Sequence, residues 1–278
     1  REINLAINKA IEHKGPVHIN VPFYEPLYDR IESPTVFPKS IPLEKPYYNM
    51  DHDMKSEMSD AWNAASKKMI LIGVNSPDSI AQKWFDMFAD DPSVLVLTET
   101  TSNIHHDSHI NCIDQLISTL SVDQFEDLQP DILLTLGGMV VSKRIKAFLR
   151  TYQPQWHWHI DDKKAYDTYF CLTEHIRLKP DIFFEEFTPL LIYKQSDYKS
   201  KWIAIRDQRR DKHEQYLSKI AFTDLKAYEL IFQAIPNNQM IHLSNSSTVR
   251  YAQLFKLKTG FKVYCNRGTS GIDGSTST

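Results

Sequence analysis

The chain has 278 residues, 42% of them apolar, and a formal charge of -3 at pH 7, with a pI near 6.4. That length holds one large domain or two ordinary ones, and the charge balance gives nucleic acid no electrostatic reason to bind. Apolar runs such as 69–74 and 132–136 are far too short to span a bilayer, and residues 1–10 lack the continuous apolar core of a signal peptide.

In chain order, residues 3–13 carry Ile3, Ile7, Ala10 and Ile11 at helical spacing, and Gly15-Pro16 breaks the pattern. Val17-His18-Ile19-Asn20-Val21 alternates strictly, which predicts a strand stopped by Pro22. Residues 24–48 hold five prolines and four tyrosines without periodicity. A linker over 24–54, stiffened by its prolines, is the expectation.

The middle of the chain, 55–195, alternates strands and helices. Residues 68–74 form a short apolar run, and Asn75-Ser76-Pro77-Asp78 behind it is a helix-start signal. The helix that follows would put Ile80, Trp84, Met87 and Phe88 on one face. Residues 93–98 and 131–136 read as strands, the second ending at Gly137-Gly138. Val141, Ile145 and Phe148 stripe the next helix, and 156–160 is a further strand. Strand, helix, strand at this spacing predicts an α/β fold with a doubly wound parallel sheet.

From 196 to 221 the chain turns polar and helical, a linker with Arg206, Arg209 and Arg210 on a solvated face. A new unit starts near Phe222-Thr223-Asp224, its first helix carrying Leu225, Tyr228, Phe232 and Ile235 on one side. Strands at 240–243 and 262–265 flank a helix at 248–257, and a Gly/Ser/Thr-rich stretch follows. So few elements do not close a domain, and the sequence is expected to stop inside one.

Two segments carry chemistry. In Ser244-Asn245-Ser246-Ser247-Thr248-Val249-Arg250 a strand runs into small polar residues with a helix directly behind. Backbone N–H groups and the helix dipole favour an anion there, and Arg250, one turn after Ser246, can reach back over the same spot. The spacing equally suits a serine-rich cap with a surface arginine. In the second segment, 265–278, Gly268, Gly271 and Gly274 make a permissive turn, and Arg267 stands at the carboxyl end of a strand, where parallel sheets place ligands. No Gly-Lys-Ser/Thr follows, so this is not a Walker loop, and Asp273 stands alone, so it is not a metal loop. A flexible polar turn fits the same spacing.

Other clusters read as structural. His105-His106-Asp107-x-His109 has metal-ligand residue types but no evident fourth ligand, and a loop leading into a helix N-cap fits it better. In Trp156-His157-Trp158-His159 the two-residue period of a strand puts both histidines on one face, as satisfied structural residues. Cys112, Cys171 and Cys265 are scattered with no CxxC pair, which suits a reducing cytoplasm.

Residues 266–274, Asn-Arg-Gly-Thr-Ser-Gly-Ile-Asp-Gly, resemble the signature of the 2-succinyl-5-enolpyruvyl-6-hydroxy-3-cyclohexene-1-carboxylate synthase family, thiamin-diphosphate-dependent enzymes of menaquinone biosynthesis. Asn245-Ser246-x-x-Val249-Arg250 matches that family's upstream motif. Gly15-Pro16-Val17-His18-Ile19-Asn20-Val21-Pro22-Phe23 is similar to the end of the pyrimidine-binding domain shared by thiamin-diphosphate enzymes, and Gly137-Gly138…Ser142-Lys143-Arg144 resembles the strand-turn-helix of the middle domain.

The resemblance implies an order of parts. Residues 1–23 would end the pyrimidine-binding domain and 24–54 would be the linker. Residues 55–195 would be a central Rossmann-like domain, 196–221 a helical linker, and 222–278 the start of the diphosphate-binding domain. It implies that Asn245, Ser246, Ser270 and Ile272 contact thiamin diphosphate, Ile272 being the bulky residue that holds the cofactor bent. Ser246, Arg250, Arg267 and Lys143 would grip the substrates, 2-oxoglutarate and isochorismate. It further implies Mg²⁺ or Mn²⁺ as the metal, a homodimer or homotetramer, and a transferase reaction. The family's proton-transferring glutamate and its Gly-Asp-Gly…Asn metal motif occur nowhere in these residues, so no catalytic or metal-ligating residue is expected here, and the chain alone is expected to be inactive. Two alternatives stay open: another thiamin-diphosphate decarboxylase or synthase, and a non-catalytic ligand-binding α/β domain. Leu71-Ile72-Gly73-Val74-Asn75-Ser76 offers one glycine where a dinucleotide fingerprint needs three.

Overall fold

The computed structural model of the chain describes residues 2–13, 15–25, 30, 32–33, 37, 39–42, 49–258 and 260–266. It divides into two compact units, 1–48 and 49–278.

In the first unit, α1 (Glu2–His13) holds the proline-rich backbone with its polar side chains. Asn4 accepts the Ile41 N–H at 3.0 Å and donates to the Lys39 carbonyl at 2.8 Å, and Asn8 donates to the Ile41 carbonyl at 3.1 Å. The expected strand at 17–21 is not formed: these residues run without strand pairing, and Val17, Ile19 and Val21 are exposed. A strand needs a neighbour for its N–H and C=O groups, and the described residues of this unit hold no other strand.

The second unit is built on a parallel sheet. In chain order it runs α2 (His52–Ala64), β1 (Lys68–Ile72), α3 (Lys83–Asp90), β2 (Val94–Thr98), α4 (Ile113–Ile117), α5 (Val122–Leu128), β3 (Ile132–Leu136), α6 (Lys143–Thr151), β4 (Trp156–Ile160), β5 (Glu174–Ile176), α7 (Pro180–Phe187) and α8 (Tyr198–Leu217). Among the described residues five strands form the sheet in the order β2-β1-β3-β4-β5, every pair parallel, with Ile70 between Val96 and Leu134. The α/β class with a doubly wound parallel sheet, expected from the strand-helix alternation, is the class observed. β1, β2 and β3 are buried along their whole length, because helices cover both faces.

The period of a strand divides the core in two. Ile70 and Ile72 face Trp62, Phe85, Phe88, Phe183, Phe184 and Phe187 from α2, α3 and α7. Met69 and Leu71 face Leu116, Leu128, Ile145, Phe148, Leu149 and Trp202 from α4, α5, α6 and α8. Three details differ from expectation. α3 begins at Lys83 rather than beside Pro77, because Asp78 takes a left-handed φ of 59° and the Ala81 N–H is bound by Asp181 at 3.0 Å. α7 escapes the periodicity count, although Pro180 at its first turn and the Phe183–Phe187 pair four residues apart are helix signals. α8 is not a solvated linker: Tyr198, Trp202 and Leu217 are buried, and so is Arg206, placed above on a solvated face. Arg206 tolerates burial because its guanidinium donates to the carbonyls of Asp107 and His109 at 2.6 and 2.8 Å and meets the Asp207 carboxylate.

The remainder comprises α9 (Asp224–Ala234), β6 (Met240–Leu243), α10 (Ser247–Ala252) and β7 (Lys262–Cys265). β6 and β7 pair in parallel, and Phe232, Leu243, Val249, Ala252, Phe261 and Val263 form a third cluster joined by Val141. α10 is shorter than the helix expected over 248–257, because the chain tightens after Ala252. The Leu254 and Phe255 N–H groups bond back three residues, to Tyr251 and Ala252.

Candidate functional site

Ligands of open parallel sheets sit beyond the carboxyl ends of the strands, where strand order reverses. Here that reversal falls between β1 and β3, and the crevice is closed. A Cβ added to Gly73 would lie 1.8 Å from the Gly138 carbonyl oxygen, and Gly137, at φ 78°, packs against the Asn75 amide. Open space adjoins this contact, reaching from Leu71, Gly137 and Gly138 across to the end of β4. A cavity of about 200 Å³ is lined by Thr135, Met139, Lys146, His159, Lys164 and Tyr166, among others.

Beneath it, Thr135 sits between the two strand histidines, 2.9 Å from His157 Nε2 and 2.8 Å from His159 Nδ1. One hydroxyl proton cannot serve both rings as donor, and the same hydroxyl reaches the Trp158 carbonyl at 3.3 Å, so at least one imidazole N–H donates to Thr135. Burial lowers the pKa of both rings, that of His157 to about 4. The two histidines are hydrogen-bonded structural residues on one side of β4. His105 and His109 lie on a loop, since the chain from Asn103 to Ile110 is not helical. Burial and the nearby His106 hold the pKa of His109 down to about 3. Among the described residues no group of three or more His, Cys, Asp or Glu side chains could hold a metal.

The site residues suggested by sequence lie on two helix starts. Lys143 is the first residue of α6 and is exposed. The turn before it is held from two sides. Glu99, 2% exposed, follows β2 and accepts the Val141 and Ser142 N–H groups at 2.6 and 2.8 Å. The Ser142 hydroxyl caps the Ile145 N–H at 3.1 Å and donates to Asp114. Asn245, Ser246 and Arg250 surround the start of α10. Ser246 has φ 67° and ψ -120°, a conformation that costs on the order of 1–3 kcal/mol in a residue with a Cβ and that clusters at ligand sites. Its hydroxyl caps no helix N–H, which leaves it uncommitted to the fold. Arg250 is exposed. With six residues in α10, few peptide dipoles add up, so the charge offered to an anion is mainly that of Arg250.

The two helix starts meet through one apolar cluster, in which Val141 and Val249 both take part. Lys143 lies two residues beyond the first and Arg250 one beyond the second. β7 is docked separately by Asn103, whose amide accepts the Val263 N–H at 2.8 Å and donates to the Val263 carbonyl at 2.9 Å. That pairing copies a strand edge and leads into Asn266, whose side chain meets His242 at 2.7 Å. Arg267, Ser270 and Ile272 lie outside the described residues. Sequence reasoning missed Glu99 and Asn103. Each is one polar residue just past a strand, and no periodicity marks it.

No helix among the described residues is long and apolar enough to cross a membrane. A family model described as the middle domain of thiamine pyrophosphate matches residues 42–243. Similar relatives include 2-succinyl-5-enolpyruvyl-6-hydroxy-3-cyclohexene-1-carboxylate synthases of Christiangramia forsetii, 53% identical over all of this chain and 49% of the relative, and of Flavobacterium johnsoniae, 49% identical over all of this chain and 50% of the relative. A more distant relative of the same name, from Porphyromonas gingivalis, is 31% identical over the same shares. The chain thus spans about half the length of the curated relatives it matches. With its five-stranded parallel sheet and a family match covering most of its length, the chain belongs to the thiamine pyrophosphate middle-domain family.

Proposed function

We propose that this chain is the middle part of a thiamin-diphosphate-dependent transferase that decarboxylates 2-oxoglutarate and adds the resulting succinyl unit to isochorismate in menaquinone biosynthesis. The observation that carries this reading is similarity along the whole chain to relatives that bear that synthase's name. In this reading 1–23 ends a pyrimidine-binding domain, 24–54 links it to a central domain at 55–195, and 196–221 leads to a diphosphate-binding domain that starts at 222. The protein would work in the cytoplasm as a homodimer or homotetramer.

The residues present fit the cofactor's polar end. Ser246 is exposed, strained and free of a capping bond, and Asn245 precedes it at the carboxyl end of β6. When bound, thiamin diphosphate supplies the electron sink for decarboxylation and carbon–carbon bond formation. Ser270 and Ile272 would line the same cofactor, and Mg²⁺ or Mn²⁺ would be held by residues other than those described here. Arg250 and Arg267 would orient substrate carboxylates, since a planar guanidinium holds a carboxylate by two parallel bonds where lysine acts as a point charge. Ser246 would add a hydroxyl to that grip and Lys143 a cation from the middle domain. These groups position and stabilise charge; none is assigned a proton transfer.

The test is steady-state kinetics on a full-length protein carrying this sequence. Arg250→Ala and Arg267→Ala each remove a charged partner worth about 2–5 kcal/mol in a desolvated site. Each should therefore lower kcat/KM on the order of thirty-fold or more, with cofactor affinity little changed. Wild-type kcat/KM for both substrates in both variants would contradict the reading. Residues 1–278 alone should not turn over 2-oxoglutarate and isochorismate, because the chain spans about half the length of the relatives that bear the synthase's name.

A further inference from the structure

Resting on the reading of Lys143 above, we infer that Glu99 is a positioning residue for Lys143, acting through the backbone turn that starts α6. The five residues 141–145 divide sharply. Val141, Ser142 and Ile145 are buried, while Lys143 and Arg144 are exposed. The backbone beneath the two exposed cations is fixed at three points. The Glu99 carboxylate holds the N–H groups of 141 and 142, and the Ser142 hydroxyl holds that of 145 while bonded to Asp114 on α4. A two-oxygen acceptor fits this place because two adjacent N–H groups converge on it.

A buried carboxylate is a costly way to hold an ordinary turn. Its reach explains its presence: Glu99 extends from the end of β2 and grips the turn between β3 and α6, so it sets where α6 begins relative to the sheet. It also sets Val141, whose side chain packs in the cluster that contains Val249, next to Arg250. One buried side chain therefore fixes the backbone from which Lys143 extends. A shift of about 1 Å in such a group can cost up to 10²-fold in rate.

The test is a double-mutant cycle in a full-length protein carrying this sequence, with thiamin diphosphate and Mg²⁺ supplied. Glu99→Gln keeps the shape but presents an amide –NH₂ to one of the two N–H groups. It should lower kcat/KM on the order of tenfold and leave cofactor affinity unchanged. Added to Lys143→Ala, it should lower kcat/KM no further, because its effect passes through the lysine. If Glu99→Gln does not fold, Glu99→Asp, which keeps the charge but cannot reach both N–H groups, is read in the same cycle with the same expectation. Wild-type kcat/KM in Glu99→Gln, with or without a lower melting point, would overturn the inference, as would effects that multiply in the double variant. Wild-type kinetics in Lys143→Ala would end the reading of Lys143 as a substrate contact, and this inference with it. An impaired Lys143→Ala whose losses multiply with those of Glu99→Gln would end this inference alone.

Discussion

His109 and His157 are kept neutral by burial, with pKa values near 3 and 4 against an ordinary 6.5. Below pH 6.5 the unfolded chain takes up these protons and the folded chain does not, so stability must fall with pH until the folded pKa values are reached. The contribution is fully present at pH 7 and drains between about 6.5 and 3. At about 1.4 kcal/mol per pKa unit, the two rings together account for several kcal/mol. Urea unfolding at pH 7, 5.5 and 4 should show the decline, and His109→Leu should flatten it; an unchanged slope in that variant would remove His109 from the account. For Arg250, exchange to lysine should restore kcat/KM only in part, because charge returns without the fork. At this scale the sequence was informative on the local frame of Asn245, Ser246 and Arg250, a strand end followed by a helix start, which β6 and α10 form. It was silent on Glu99 and Asn103 and wrong on the burial of Arg206, because their roles depend on backbone groups brought near by folding from roughly 40, 160 and 100 residues away.

Among the elements, the β1 and β3 ends are set by two glycines that touch. Gly73→Ala would drive a methyl into the Gly138 carbonyl, with no flexible side chain to yield. Overpacking of this kind costs about 1–3 kcal/mol, and a lowered melting temperature would register it; an unchanged one would mean that the loops part easily. The same contact fills the crevice where a pyrophosphate would lie, so titration calorimetry should find no micromolar binding of NAD or FAD. Strands were legible wherever a buried run met turn residues, as at β1, β2 and β3. The alternation at 17–21 misled because a two-residue period records which side chains could face a core, not whether a partner strand exists. α2 and α7 were missed because aromatic burial decides them: Trp62 meets Phe187 edge-on across the two helices, and Phe187 stacks on Phe183 within α7.

For the whole molecule, the boundary of the folded unit bears most on the account. Tyr198 and Trp202 complete the second core from α8, and the Tyr198 hydroxyl donates to the Leu128 carbonyl at 2.7 Å. A fragment of 49–195 should therefore expose that face and melt well below a fragment of 49–221; equal melting points would show that α8 is dispensable. The doubly wound class was legible from strand-helix alternation alone, whereas the docking of β6 and β7 was not, since it relies on Asn103 and Val141. The synthase proposed above is built for two dicarboxylates. Its most direct test is the rate at which a full-length protein carrying this sequence, with thiamin diphosphate, Mg²⁺ and isochorismate, consumes 2-oxoglutarate compared with pyruvate. The proposed reaction predicts rapid carbon–carbon bond formation with 2-oxoglutarate and a kcat/KM for pyruvate lower by on the order of a hundredfold, since the group that would hold the second carboxylate then loses its partner. Equal rates with the two acids, or no consumption of isochorismate with either, would contradict it.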